Sequence, residues 1–127
     1  SNSLRERLAL NIMFVLGDAF RSTDRIETVG TLADRLMLPS VTIEPILEGL
    51  EAAGLITVTD KGGLVPGRDI NKIRLEDILA VVRSEGETGS YTEPRFDKRV
   101  AALGDSLDAA IGGTITDRTL ADLLDSA

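Results

Sequence analysis

The side chains able to do chemistry in this sequence are carboxylates and little else. There is no His and no Cys, which removes disulfides, iron–sulfur ligation, thiol nucleophiles, serine–histidine triads and the usual zinc sites. Metal-dependent hydrolysis would need clustered carboxylates, usually joined by His. Asp105 and Asp108 share a helix face, as do Asp122 and Asp125, but aspartates spaced i, i+3 read as solvent-facing charge. Gly62-Gly63 is too short to cradle a phosphate and sits in a turn; Gly112-Gly113 reads as a helix terminator. No catalytic constellation emerges. The expectation is a protein that is not an enzyme and holds no cofactor and no metal.

The carboxylates that do form a pattern are Glu44, Glu48 and Glu51. Spaced by four and then three, they lie along one exposed helix face. The segment 40–53 that carries them has no Lys, Arg, Asn or Gln, the side chains that contact phosphates and base edges. Three carboxylates facing a polyanion oppose binding, and no counterion release rewards it. They read as a solvated face or as an acidic patch that docks a basic partner. Lys61 and Arg68 are the basic residues of the following hairpin, too few for useful affinity against a net charge of −7. Arg68-Asp69 reads as a structural pair anchoring the hairpin. Arg5, Arg7, Arg21, Arg25 and Arg35 concentrate basic charge early, but Glu6, Asp18, Asp24, Glu27 and Asp34 cancel it. Three Phe, one Tyr and no Trp argue against a stacking platform for single strands.

The elements that must position these residues follow from periodicity. At 127 residues, 43% hydrophobic and 28% charged, the chain suits one compact domain with a small extension. Residues 3–21 read as a helix: Leu4, Leu8, Ile12, Val15 and Ala19 recur on one face, and Leu10, Met13, Phe14 and Leu16 widen it. After a polar connection at 22–28, a short helix spans about 30–37 with Leu32, Ala33 and Leu36 inward. Leu38-Pro39-Ser40 turns into a helix that runs to Ala53, with Thr42 or Ser40 as its cap and Ile43, Ile46, Leu47 and Leu50 inward. With Thr42 as cap, Pro45 is the third helical position and removes no bond; with Ser40 one bond is lost. Gly54 suits a left-handed C-cap. Residues 55–59 alternate and are β-branched, 60–63 turn, and Leu64-Val65-Pro66 return, a β-hairpin. A helix follows at 75–83, with Leu75, Ile78, Leu79 and Val82 inward. Residues 84–94 read as a polar loop. Phe96, Val100, Leu103, Leu107 and Ile111 then form a helical stripe over 95–111, and a last helix lies near 117–125.

Helix, short helix, turn, helix and two-stranded hairpin is the order of a winged helix-turn-helix. The fold class is therefore mainly α with a small β-hairpin: a winged helix-turn-helix at 3–83, a polar loop at 84–94 and a C-terminal helical extension at 95–127 that packs on the first helix.

The run from Thr31 to Arg83, with "LADRLMLP", "ILEGLEAAGLI", "VPGRD" and "IRLEDIL", resembles the cytoplasmic C-terminal region of the YihY/BrkB-type, ribonuclease BN-like inner-membrane proteins. The closing "TLADLL" from Thr119 to Leu124 is similar too. The resemblance implies a tail that follows a multi-helix membrane domain. The layout also resembles winged-helix repressors that sense iron–sulfur clusters. Their ligating cysteines have no counterpart here, and Arg74 stands where they carry a threonine helix cap.

Together these readings lead to a non-catalytic interaction or regulatory module, the soluble cytoplasmic tail of an integral membrane protein. Its partners are then a protein or its own membrane domain, on the cytoplasmic side of the inner membrane. Specific DNA binding is not expected. The alternative is a DNA-binding winged-helix regulator without cluster-ligating cysteines. No window approaches the roughly 18 apolar residues of a membrane span. Ser1-Asn2 reads as a tag remnant, so the chain is expected to be a fragment of a longer protein. The first helix is apolar on two sides, which with the 96–111 stripe favours a homodimer.

Overall fold

Residues 2–88 and 117–126 are described by a computed structural model of the chain. The first helix, α1 (Asn2–Ser22), buries Ala9, Ile12, Met13, Val15, Leu16 and Ala19. Of the predicted stripe Ile12, Val15 and Ala19 are buried, but Leu8 is half-buried and Leu4, in the first turn, is exposed. It is the central strut, packing against the hairpin and two later helices.

Helix α2 (Val29–Leu36) starts one residue before its predicted position because Thr28 caps it. Thr28 Oγ1 accepts from the Thr31 backbone N–H at 3.2 Å, and Thr31 Oγ1 accepts from that of Thr28 at 2.7 Å. This reciprocal pair satisfies two donors that the helix start would otherwise leave open. Met37 ends the helix in the left-handed region at φ 57°.

Helix α3 (Ser40–Ala52) corrects the expected cap. Pro39, at φ −62° and ψ 146°, is the N-cap and provides no side-chain bond. Proline is held extended here and leads directly into the helix, so Ser40 and Thr42 are already helical. Pro45 is therefore the sixth helical residue, and the bond to the Val41 carbonyl cannot form. An interior proline costs about 3 kcal/mol. Four buried side chains, Ile43, Ile46, Leu47 and Leu50, outweigh it at about 1.5–3 kcal/mol each. At the other end Gly54, at φ 77°, donates to the Glu51 carbonyl, and Leu55 N–H reaches back to Leu50 O, both at 2.9 Å. This is the expected left-handed closure.

The hairpin pairs β1 (Ile56–Val58) with β2 (Leu64–Pro66), antiparallel, with Thr57 opposite Val65. On its other side β2 meets Glu27, whose carbonyl accepts the Leu64 N–H at 2.7 Å. The wing is thus tied to the segment just before α2. A 3₁₀ turn (Ile70–Lys72), capped by Asp69, leads to α4 (Leu75–Thr88). Leu75, Ile78, Leu79 and Val82 are buried as expected.

Helix α4 continues to Thr88, so residues 84–88 of the expected polar loop are helical. The remainder of that loop, the 95–111 stripe with Phe96, Val100, Leu103, Leu107 and Ile111, and Gly112-Gly113 lie outside the described residues.

The last helix, α5 (Leu120–Asp125), is capped by Thr119 in a reciprocal pair with Asp122. Its start is braced against that of α4: Leu75 N–H donates to Arg118 O at 2.8 Å, and Leu120 N–H donates to Ile73 O at 2.7 Å. Leu120 and Leu124 then rest on α1 at Gly17. A Cβ there would lie 3.2 and 3.0 Å from their methyl carbons, so only glycine admits this approach without a shift. The result is a mainly helical winged helix-turn-helix with one two-stranded antiparallel sheet.

Candidate functional site

In a winged helix the second helix of the helix-turn-helix and the hairpin offer the surface that meets a ligand. Here the inner side of α3 is core, with Leu50 fully buried. Its outer side carries Glu44, Glu48 and Glu51, all exposed, and among the described residues no cation pairs with them. The three carboxylates do not simply face open solvent. They line a cleft of about 240 Å³ between α3 and the hairpin. Val29 and Val58 form its apolar sides, over the buried Leu47, Ile56 and Leu64. Two aliphatic side chains flank the surface near the turn: Met37 is 89% and Val41 74% exposed.

The basic residues of the hairpin are placed differently. Lys61 is exposed at the wing turn beside Asp60, so the tip has no net charge. Arg68 Nη2 donates to the Ala53 carbonyl at 3.1 Å, tying the hairpin exit to the end of α3. Its anchoring role is as read from the sequence, but its partner is that carbonyl and not Asp69. Asp69 instead accepts the Asn71 backbone N–H at 2.9 Å and the Asn71 side-chain amide at 3.0 Å. These two bonds, the backbone one foremost, hold its pKa below the ordinary 3.8.

One group escaped sequence reading. Glu27 is 1% exposed although it sits in a polar connection. Its carboxylate accepts Arg35 Nε at 2.7 Å and Thr31 Oγ1 at 2.9 Å, with Arg25 Nε at 3.7 Å. Arg25 also reaches Asp18 at 3.0 Å. The available signal was the Thr28/Thr31 pair: it marks α2's start and puts Glu27 beside that helix's positive end. Arg74 caps nothing with its side chain, yet Asp77 accepts its backbone N–H at 3.2 Å. Its guanidinium pairs with Asp77 and Glu76, which raises its pKa, chiefly through the Asp77 hydrogen bond.

The Asp122/Asp125 pair is structural. Asp122 accepts the Thr119 N–H at 2.9 Å, and Asp125 pairs with Arg21 at 2.8 Å. Asp105 and Asp108 lie outside the described residues. Among the described residues no group of three or more acidic side chains could hold a metal ion. A larger cleft of about 490 Å³ lies between the end of α3 and α4, lined mainly by small residues such as Gly49, Ala52 and Ala80. The charged groups at its rim, Arg68 and Asp77, are already engaged. No helix among the described residues is long and apolar enough to cross a membrane.

No family model matches the chain. A membrane protein of Rhodospirillum rubrum, designated UPF0761, is 30% identical over 125 residues, spanning 84% of this chain and 27% of that protein. The chain thus spans about a quarter of the curated relative it matches. Among solved structures, oxidised CymR of Staphylococcus aureus is 20% identical with a TM-score of 0.71, covering 98% of this chain and 95% of that one. IscR of T. potens is 21% identical with a TM-score of 0.69, covering 95% and 83%. CymR of B. subtilis, described as its global cysteine regulator, is 23% identical with a TM-score of 0.67, covering 94% and 92%. At these identities the likeness is one of fold: the chain shares the winged-helix architecture of transcriptional regulators.

Proposed function

We propose that this chain is a non-catalytic winged-helix interaction or regulatory module. We further propose that it is the soluble cytoplasmic C-terminal tail of an integral inner-membrane protein of the YihY/BrkB type. One observation carries the first statement: the helix in the recognition position exposes three carboxylates that no described cation pairs, and it has no basic or amide side chain. A duplex would meet like charge there, with no cation on α3 to release counterions. The likeness to a quarter of the Rhodospirillum rubrum membrane protein supports the second. The working domain division is 3–83 for the winged helix, with a C-terminal extension over 95–127; the seat of α5 on α1 at Gly17 supports that extension's docking. Self-association through α1 and the 95–111 stripe is part of the same proposal, and light scattering reports it as twice the monomer mass.

A shift assay and a site selection on duplex DNA test the reading directly. The expected result is no specific binding tighter than about micromolar at physiological salt, the level of weak non-specific association. Recovery of a consensus site at nanomolar affinity would overturn it and establish a DNA-binding regulator instead. Fractionation of the full-length gene product tests the membrane half: it belongs in the membrane pellet.

A further inference from the structure

We propose that the α3–hairpin cleft is a receptor for a Lys/Arg-rich segment carrying an aliphatic anchor, contributed by the cytoplasmic loops of the attached membrane domain. The source of that segment rests on the tail reading above; the recognition chemistry rests on the cleft. At about 240 Å³, the cleft is smaller than the roughly 300–1,000 Å³ of small-molecule sites. It suits an inserted side chain better than a whole ligand. Its sides are apolar, from Val29 and Val58, and its rim is acidic, from Glu44, Glu48 and Glu51. Those glutamates rise about 10 Å along α3, at 1.5 Å per residue, enough for several successive cations on one segment. None has a cation of its own among the described residues, so a basic partner meets no competitor among them. The exposed Val41, three residues before Glu44 on α3, adds apolar surface beyond the first carboxylate.

The charge of the cleft selects among occupants. Nucleic acid and anionic lipid are repelled by its rim. A neutral apolar peptide would leave three carboxylates beside a low-dielectric interface with nothing to offset their desolvation. A basic segment with an aliphatic residue satisfies both the floor and the rim. Cytoplasmic loops beside membrane spans carry an excess of Lys and Arg, so a tail tethered to such spans has this chemistry at high effective concentration.

The test is a fluorescence-anisotropy titration of the chain against a labelled synthetic peptide of Lys-Lys-Leu repeats. Two controls are the same peptide with every Leu replaced by Ser and with every Lys replaced by Gln. Saturable binding is expected for the Lys/Leu peptide, weakening with added NaCl and weaker by about tenfold for Glu48→Lys with Glu51→Lys, as several exposed charge pairs are lost. Val58→Ser should weaken it as well. Circular dichroism and melting confirm that each variant is folded, and Glu76→Lys, distant from the cleft, should bind as wild type does. Equal binding of the Ser-substituted peptide would overturn the proposal, since charge alone would then suffice. Undiminished binding by the Glu48/Glu51 or Val58 variants, or no binding by wild type, would overturn it too. Any of these results with a full-length protein that pellets with membranes leaves the tail reading standing. A full-length protein that stays out of the membrane overturns the tail reading and the assigned source of the segment, whatever the peptide does.

Discussion

Glu27 and the trio Glu44, Glu48 and Glu51 are the same side chain in opposite circumstances. Glu27 is buried and shares its two oxygens among Arg35, Thr31 and Arg25. It also joins two elements, since its carbonyl holds β2 while its carboxylate faces α2. The trio is exposed, and no described cation meets it. A paired, buried acid tells of architecture. Acids that no described cation meets, gathered at a cleft, are what the proposed docking of a basic segment rests on.

The inner and outer faces of α3 give the sharpest contrast. Leu50 is fully buried, so Leu50→Ala should destabilise the fold by roughly 2–5 kcal/mol in denaturant melts, from lost transfer energy and the cavity left behind. Its neighbour Glu51 should tolerate Ala within about 0.5 kcal/mol, as an exposed site without partners does. A loss under about 1 kcal/mol for Leu50→Ala would mean the two faces are not distinct.

Glu27→Ala comes next. Removing one partner of a buried ion pair commonly costs about 3–5 kcal/mol, but Arg35 is 47% exposed and Arg25 34%, so water can recover part of their charge. About 2 kcal/mol is expected from chemical denaturation, with Glu27→Gln milder because its amide oxygen still accepts from Arg35. Equal, small effects for Glu27→Ala and Glu44→Ala would erase the distinction between architectural and presented acids.

Much of this was readable in advance, and the exceptions share a cause. The stripes of α1, α3 and α4 and the hairpin turn are local patterns, set by periods of 3.6 and 2 and by Gly62-Gly63. The acidic face of α3 is equally local, so spacing alone places Glu44, Glu48 and Glu51 on one side. What stayed hidden depends on distant partners. The cleft exists only because the hairpin folds back beside α3. Glu27 is buried only because Arg35 and β2 reach it. The braced starts of α4 and α5 bring Leu75 and Leu120 together across a long separation in sequence. Polarity misled twice, at Glu27 and at residues 84–88, because it reports a preference for water or for partners and does not specify which. Pro39 misled differently: a side-chain cap was sought where the turn alone starts the helix.

Replacing Glu44, Glu48 and Glu51 together by Lys separates charge from shape at the outer face. Stability should change by no more than about 0.5 kcal/mol per site, while the net charge moves from −7 to −1, since each replacement adds two. Duplex DNA should then bind weakly, without sequence preference and with affinity falling steeply as salt rises. Sequence-selective binding by this variant would show that the remaining surface already reads bases.

The smallest expected effect concerns an acid of a third kind, exposed yet paired. Asp69 takes two hydrogen bonds from Asn71, which depress its pKa below 3.8. A carboxylate with a lowered pKa in the folded state favours folding at pH values above its unfolded pKa. That contribution fades as pH falls from 3.8 through the lower folded value. The group is fully exposed, so solvent screens it and the increment is slight. Asp69→Asn keeps an acceptor oxygen for the Asn71 N–H but cannot titrate. Acid-denaturation curves of the two proteins should therefore run parallel above about pH 5, where the unfolded carboxylate is ionised. Below 3.8 the gap should narrow as the wild type loses its advantage. Curves that keep a constant offset through the acid range would mean that Asn71's bonds do not distinguish the charged carboxylate. Asp69 would then belong with the unpaired acids of α3 and not with Glu27.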